Sequence, residues 1–312
     1  MIKSRITLKQ LEAFVFVVDT GTFRAAATML GTTQPNISAR IAALESALDV
    51  PLLLRSAGSI RLTEKGAALL ARAREVVWAG EALLEEADRR DLIEERLRLG
   101  VTELVACTWL QDFLRLLKEA YPRVRVELQV DLSTVIDTRL MAGELDLTLQ
   151  SGPFATRLDG TLLLGSEPYC WVAEPKQAAA IGCAPAMADI FAHPVLTHAQ
   201  HTQAGHALHH MAETRGLNVS QIVHSSALSA CVPMVCEGLG IALLPERLVQ
   251  DELRSGVLHG LNSDWLPEPL TFYARYHAAR APRFVRQAAE FAQGAMGGRS
   301  PEHHKNLSPQ QN

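Results

Sequence analysis

The chain lacks any apolar run approaching about 18 residues, the length at which a transmembrane helix becomes a candidate. Its N-terminus also lacks the charged start and hydrophobic stretch of a secretory signal. A helical membrane span and a secreted product are both excluded, and a cytoplasmic protein is expected. Cysteine is sparse: Cys107, Cys170, Cys183, Cys231 and Cys236 sit among apolar neighbours, as reduced and mostly buried thiols do. Cys231 and Cys236 stand five apart on an expected helix and point to different sides, so a disulfide switch has little footing. His201, His206 and His210 have no cysteine or acid at ligand spacing, and no metal site is expected. No GxSxG, phosphate-cradling loop or HExxH occurs, and GLGIAL from Gly238 lacks the third glycine of a dinucleotide fingerprint. No nucleophile stands with its base, so an enzyme is not expected and no cofactor is implied.

What is present is concentrated in TFRAAATMLGTTQPNISARIAALE, Thr22 to Glu45. Thr22 can cap a first helix whose apolar side carries Phe23, Ala26, Ala27 and Leu30, and Gly31 tolerates the positive φ that ends it. Thr33 can cap a second helix, with Pro35 in the first turn where a missing N–H costs nothing. Ile37, Ile41, Leu44 and Leu48 recur at steps of four, three and four, one buried stripe. Gln34, Asn36, Ser38, Ala39 and Arg40 are left facing outward, small or polar groups suited to base edges and phosphates. The alternative is an ordinary helical hairpin. The next stretch, PLLLRSAGSIRLTEKG, argues against it: it reads as two short strands around a tip at Ala57-Gly58-Ser59, a wing. Arg55 and Arg61 flank that tip, placed to reach a phosphate or a narrow minor groove.

Leu8 to Gly66 resembles the DNA-binding domain of the LysR-type transcriptional regulators. That family carries LxxFxxVxxxGSFxxAA, then TQPxxSxxIxxLE, then PLxxRxxxxxxLTxxG; this chain has LEAFVFVVDTGTFRAAA, TQPNISARIAALE and PLLLRSAGSIRLTEKG in that order. The resemblance implies DNA contacts from Thr33, Gln34, Pro35, Asn36, Ser38, Arg40, Arg55 and Arg61. Two departures stand out. Many members have Arg directly after the recognition-helix Ser, where this chain has Ala39. One residue turns a side chain by about 100° around the axis, so Arg40 is expected on the DNA backbone rather than on a base. The residue before the wing Arg is Leu54, expected to be packed.

Charge is distributed accordingly. The first 66 residues hold eight Lys and Arg against five Asp and Glu, net +3, which leaves −7 for the rest of a chain whose total is −4. A basic head sits on an acidic body. At 312 residues, 48% of them hydrophobic, the chain is long enough for more than one core.

From Glu64 to about Arg90 a long helix carries Leu69, Ala73, Val76, Gly80, Leu83 and Ala87 at alternating steps of four and three, a coiled-coil seam with small residues at half its positions. Leu69, Ala73, Val76 and Leu83 are the expected dimer contacts; packing within one chain is the alternative. A dimer also suits DNA, where two heads read two half-sites. From Leu97 strands alternate with helices: RLRLGVT running into a helix near Thr102, VRVELQVDLS ending at Ser133, then 145–152, 168–174, 193–198, 240–245 and 269–276, with helices over 201–215, 228–238 and 283–294. Alternating units of this kind point to parallel sheets covered on both faces.

The resemblance continues through this body, on YPRVRVELQV, LMAGELDLTL and CEGLGIALLPERLV. It implies an α/β effector domain of two Rossmann-like lobes of periplasmic-binding-protein type behind the winged helix-turn-helix head and the linker helix. The expected divisions are a head at 1–63, a linker at 64–92 and an effector domain at 93–294. Lobe 1 takes 93–166 and 268–294 and lobe 2 takes 167–267, while the polar tail 295–312 is expected to be disordered. Small molecules bind open α/β sheets beyond the carboxyl ends of their strands, where helix N-termini offer unpaired N–H groups. Thr102, Glu103, Ser133, Thr134, Gln150, Ser151, His201 and Thr202 are the expected effector contacts, each hydroxyl serving equally well as a helix cap. Glu103 is the odd member, since a carboxylate repels the small organic acid that such N–H groups suit. The expectation is a sequence-specific transcription regulator controlled by a small-molecule effector. The resemblance adds promoter DNA, a homotetramer and RNA polymerase as partners. A redox-responsive regulator and a binding module without specific DNA recognition are the alternatives.

Overall fold

In the computed structural model of the protein, residues 6–56, 59–87, 89–93, 95–182, 184–200 and 202–298 are described. The head is built from α1 (Leu8–Thr20), α2 (Phe23–Met29), α3 (Gln34–Leu48), β1 (Leu53–Ser56) and β2 (Ser59–Leu62). Thr22 caps α2 by accepting the Ala25 N–H at 3.1 Å, and Gly31 takes φ +58° in the turn before α3. Ile37, Ile41 and Leu44 are sealed against Phe14, Val17, Ala26 and Ala27, the core the stripe implied. Two polar links fix the wing. Glu45 Oε1 accepts the Leu52 and Leu53 N–H groups at 2.7 and 3.1 Å, tying the end of α3 to β1. Thr63 Oγ1 caps α4 (Glu64–Glu86) through the Gly66 N–H at 2.9 Å. A Cβ on Gly66 would stand 2.1 Å from the Leu52 carbonyl oxygen, so only glycine lets α4 leave the wing at this angle.

The first lobe contains β3 (Arg96–Val101), α5 (Glu103–Cys107), α6 (Leu110–Ala120), β4 (Arg125–Val130), α7 (Ser133–Met141), β5 (Leu147–Ser151) and β6 (Gly160–Glu167). The chain then crosses to a second lobe of β7 (Tyr169–Ala173), α8 (Pro175–Ile181), α9 (Met187–Ile190), β8 (Val195–His198), α10 (Gln203–Thr214), β9 (Ile222–Ser225), α11 (Cys231–Cys236), β10 (Ile241–Pro245), α12 (Gln250–Ser255) and β11 (His259–Leu261). It returns as β12 (Leu270–Tyr276) and α13 (Arg283–Met296). The sheets run β4-β3-β5-β12-β6 and β11-β7-β10-β8-β9.

Neither sheet is wholly parallel, contrary to the sequence expectation. β12 is antiparallel to β5 and β6, and β7 is antiparallel to β10 and β11. Each of these strands lies at a lobe crossing, where the chain arrives from the other sheet rather than from a crossover helix. β6, β9 and β11 escaped the pattern because they are edge strands or short, with little continuous burial. Helix α13 runs two residues past the expected end at Gly294, and the polar tail from residue 299 lies outside the described residues. No helix of the described residues is long and apolar enough to cross a membrane.

Candidate functional sites: the outward helix and the interlobe cleft

Helix α3 is buried along one side only. Thr33, Gln34, Pro35 and Asn36 at its start are exposed, Ser38 and Arg40 are half-buried, and Ala39 is exposed beside them. Asn36 Nδ2 donates to Thr32 Oγ1 at 3.1 Å, which holds its amide at the helix start. Arg61 projects from β2 into solvent; the side chain of Arg55 lies outside the described residues. Leu54, expected to be packed, is 55% exposed, because its place in the β1–β2 ladder puts it opposite Arg61 on the outer face.

The linker seam divides in two. Ala73 is buried and Leu69 partly buried against the head's own core, so these two expected dimer contacts are spent within the chain, where α4 packs on α1. Val76 and Leu83, one heptad apart, are 50% and 71% exposed and remain free to meet a second helix.

At the cleft, strand ends of the two lobes meet. Thr102 stands at the start of α5 without a capping bond, and its Oγ1 is buried with no partner among the described residues. The Glu103 carboxylate crosses to lobe 2: Oε2 accepts the Leu228 N–H at 2.8 Å, and Oε1 accepts the Ser229 N–H at 3.2 Å and its hydroxyl at 2.5 Å. The odd acid of the sequence is thus satisfied by donors from the facing lobe. Ser133 and Ser151 hydroxyls lie 3.2 Å apart, joining the ends of β5 and α7. Thr134 is exposed, and Thr202 caps α10 through the Gly205 N–H at 3.1 Å while donating to the Ala199 carbonyl. His201 lies outside the described residues.

Gln150 requires correction. It is fully buried, and its Nε2 donates to Asp137 Oδ1 at 3.2 Å and Thr148 Oγ1 at 3.1 Å. Strand alternation turns it beneath α7 onto the Asp137–Arg275 ion pair, and its Oε1 is buried without a partner among the described residues.

Two residues that the sequence reading missed stand on the lobe 2 side. Tyr169 and His198 lie at the same sheet end, their rings in edge contact at 5.4 Å. The Tyr169 hydroxyl and His198 Nε2 are both buried without a partner among the described residues. Burial pulls the His198 imidazole down to about 4, with Glu103 close enough to oppose the shift. Neither had a sequence signal, because each reads as an ordinary strand residue.

A winged helix-turn-helix joined by a long helix to a two-lobed domain with strand ends facing across a cleft defines a ligand-responsive DNA-binding regulator. The family model for bacterial regulatory helix-turn-helix proteins of the lysR family matches residues 8–67, and that for the LysR substrate binding domain matches residues 90–297. The chain belongs to the LysR family of transcriptional regulators. It is 34% identical over 289 residues to a probable hydrogen peroxide-inducible genes activator of Streptomyces viridosporus, covering 91% of this chain and 92% of that one. It is 24% identical over 290 residues to the regulator BbuR of Bordetella bronchiseptica, covering 90% and 87%. Among solved structures, a full-length OxyR variant from Pseudomonas aeruginosa superposes with a TM-score of 0.56 at 22% identity over 95% of this chain and 99% of that one. Full-length BenM gives 0.54 at 20% identity over 94% and 98%. These two share the fold.

Proposed function

We propose that the chain acts as a homodimer, and in its working form a homotetramer, that binds promoter DNA through α3 and the wing and presents it to RNA polymerase in the cytoplasm. A small molecule held between the lobes alters how the linker helices space the heads, as any ligand that prefers one of two arrangements must. The observation that carries this is the outward start of α3, with Gln34, Pro35 and Asn36 exposed over a closed core. Such an edge has no packing role left to fill. Val76 and Leu83 support the dimer, being large apolar groups left bare on the linker. No chemistry of its own is assigned to the chain, which acts by binding.

The test is a footprint on genomic fragments at physiological salt, with two variants. Arg55→Ala should weaken binding to all sequences and lower the salt slope by about one, as loss of a phosphate contact does. Gln34→Ala should relax discrimination at one base pair by about 1–3 kcal/mol. Equal losses on every sequence from both variants would remove α3 as the reading helix.

The peroxide-linked name of the Streptomyces relative raises a redox reading. Cys183 lies outside the described residues; Cys107, Cys170, Cys231 and Cys236 are all unbonded, Cys107 being exposed rather than buried as expected, and partial loss of hydration raises every one of these thiols, which disfavours the thiolate. Ligand control is therefore the stronger reading. DNA binding that changes with peroxide and is restored by a thiol reductant would reverse that order.

A further inference from the structure

The expectation of an acidic effector rested on unpaired N–H groups at helix starts; the starts of α5 and α7 in lobe 1 carry no side-chain cap, but the donors that face the cleft from lobe 2 are already taken. The Leu228 and Ser229 N–H groups and the Ser229 hydroxyl are already taken by Glu103, and the Gly205 N–H by Thr202. The strand-end segments 101–103, 131–134, 150–152, 198–203 and 225–229 contain no Lys or Arg, yet they contain Glu103 and Asp131. An anion entering here would meet carboxylates without a balancing cation, and a buried unpaired charge is costly.

What stands unsatisfied is neutral. Tyr169 is 3% exposed and His198 is 8% exposed, and the Tyr169 hydroxyl and His198 Nε2 have no partner among the described residues. Thr102 Oγ1, at the start of α5 in lobe 1, and Gln150 Oε1, beneath α7, are likewise without a partner among the described residues. Buried polar groups are ordinarily paired, so two on adjoining rings at the ligand-facing end of one sheet mark a seat for a complementary molecule. A phenol hydroxyl donates and a neutral imidazole nitrogen accepts or donates according to its tautomer. One group that answers both is a carboxamide, whose carbonyl accepts while its N–H donates.

We propose that the effector is uncharged and carries a carboxamide or an equivalent paired acceptor and donor, seated on the Tyr169 hydroxyl and His198 Nε2. This rests on reading the interlobe cleft as the effector site. Lobe 2 thereby does the chemical recognition, while Glu103 closes the mouth and excludes acids. The imidazole, held near 4 by burial, is neutral at physiological pH and gives an acid no charge to pair with.

The test uses the full-length protein and two fragments of matched shape, acetamide and acetate, titrated by saturation-transfer NMR on their methyl signals. Acetamide should receive saturation and bind at least tenfold more tightly than acetate. Tyr169→Phe, which keeps the ring and its packing, should weaken acetamide by about threefold to tenfold, the usual worth of one hydrogen bond. His198→Asn should do the same, and circular dichroism shows whether each variant is folded. Acetate binding as well as acetamide, acetamide binding unchanged in both variants, or neither fragment binding overturns the proposal. A gel shift of the same wild-type preparation separates the two levels. Retained DNA binding with any of those results removes only the effector class, whereas loss of specific DNA binding removes the regulator reading too.

Discussion

At the junction between the lobes Glu103 meets three donors, whereas at the junction between head and body Glu95 meets other carboxylates. The first contact is complementary: two N–H groups and a hydroxyl from lobe 2 surround one carboxylate from lobe 1. The second is congested. Glu95 lines a cavity of about 100 Å³ between α1, α4 and the first lobe, with Asp19, Arg74, Trp78, Arg98 and His277 among its walls. Burial, and then Glu81, Glu12 and Asp146, push its carboxyl up to about 8. Three arginines of the same cavity are committed elsewhere: Arg74 to Asp19, Arg98 to Asp146, and Arg96 to Glu127. One junction is closed by its charges and the other is held despite them. A regulator whose lobes must hold a ligand and whose heads must move gains from that contrast: the cleft has a discrete latch, and the head a seat that a proton stabilises.

The largest effect should come from breaking the complementary side. Glu103→Ala removes three hydrogen bonds to a charged acceptor, each worth about 1.5–3 kcal/mol when fully buried. The site is only half-buried, so a total near 2–3 kcal/mol is expected after solvent screening. Urea unfolding should show that loss, and small-angle scattering should show a larger radius as the lobes part. An unchanged profile in both would mean that the lobes are held by packing alone and that Glu103 is incidental.

Next comes the congested side. Glu95 has a folded-state pKa raised from 4.5 to about 8, so the folded protein keeps a proton that the unfolded chain releases. Its contribution is fully present below about 4.5 and is lost as pH rises through about 8. The charges facing it are Glu12 on α1, Glu81 on α4 and Asp146 in lobe 1, with Asp19, Arg74, Arg96, Arg98, His277 and Arg280 around the same cavity. Glu95→Gln mimics the protonated form. It should melt like wild type at pH 5 and higher than wild type at pH 9, and the fall between those values should be shallower. Parallel melting curves across that range would place Glu95 in solvent and dissolve the contrast.

How much of this was legible in the sequence follows from the range of the interactions. Much of the head could be read because its rules are local: a cap at Thr22, a left-handed Gly31, and a stripe from Ile37 to Leu44 each act within one or two turns, whereas Thr33 makes no side-chain capping bond and Leu54 turned outward. The βα order of the body was legible for the same reason. Strand direction was not, since β12 runs antiparallel to β5 only because the chain returns from the second lobe. The cleft was legible as a place and not as chemistry. Thr102 and Ser133 could be located at strand ends, but Glu103 finds its partners 125 and 126 residues away. Gln150 was misplaced because the alternation of its strand, and not its nearness to the strand end, decides which face a side chain takes. Tyr169 and His198 gave no signal at all, because an orphaned hydroxyl is visible only when its surroundings are known. Ala73 misled for a related reason: a heptad position states that a residue is covered, not by which chain.

The smallest expected effect sharpens the comparison from the ligand side of the cleft. His198 is pulled down from 6.5 to about 4 by burial, with Glu103 opposing the shift. In the folded protein it stays neutral where the unfolded chain is protonated, so its contribution is fully present above about 6.5 and is lost as pH falls toward 4. His198→Gln should therefore lose less stability than wild type between pH 7 and pH 4.5, with the difference confined to that acid limb and absent at pH 8. Glu103 adds a second handle. Its negative charge favours the protonated imidazole, so in Glu103→Ala the ring should titrate lower still, read directly from its carbon-bound proton shifts by NMR. The opposite movement, a His198 pKa that rises toward 6.5 in Glu103→Ala, would show that the latch matters to the ring by keeping water out. The two junctions would then differ in hydration rather than in charge.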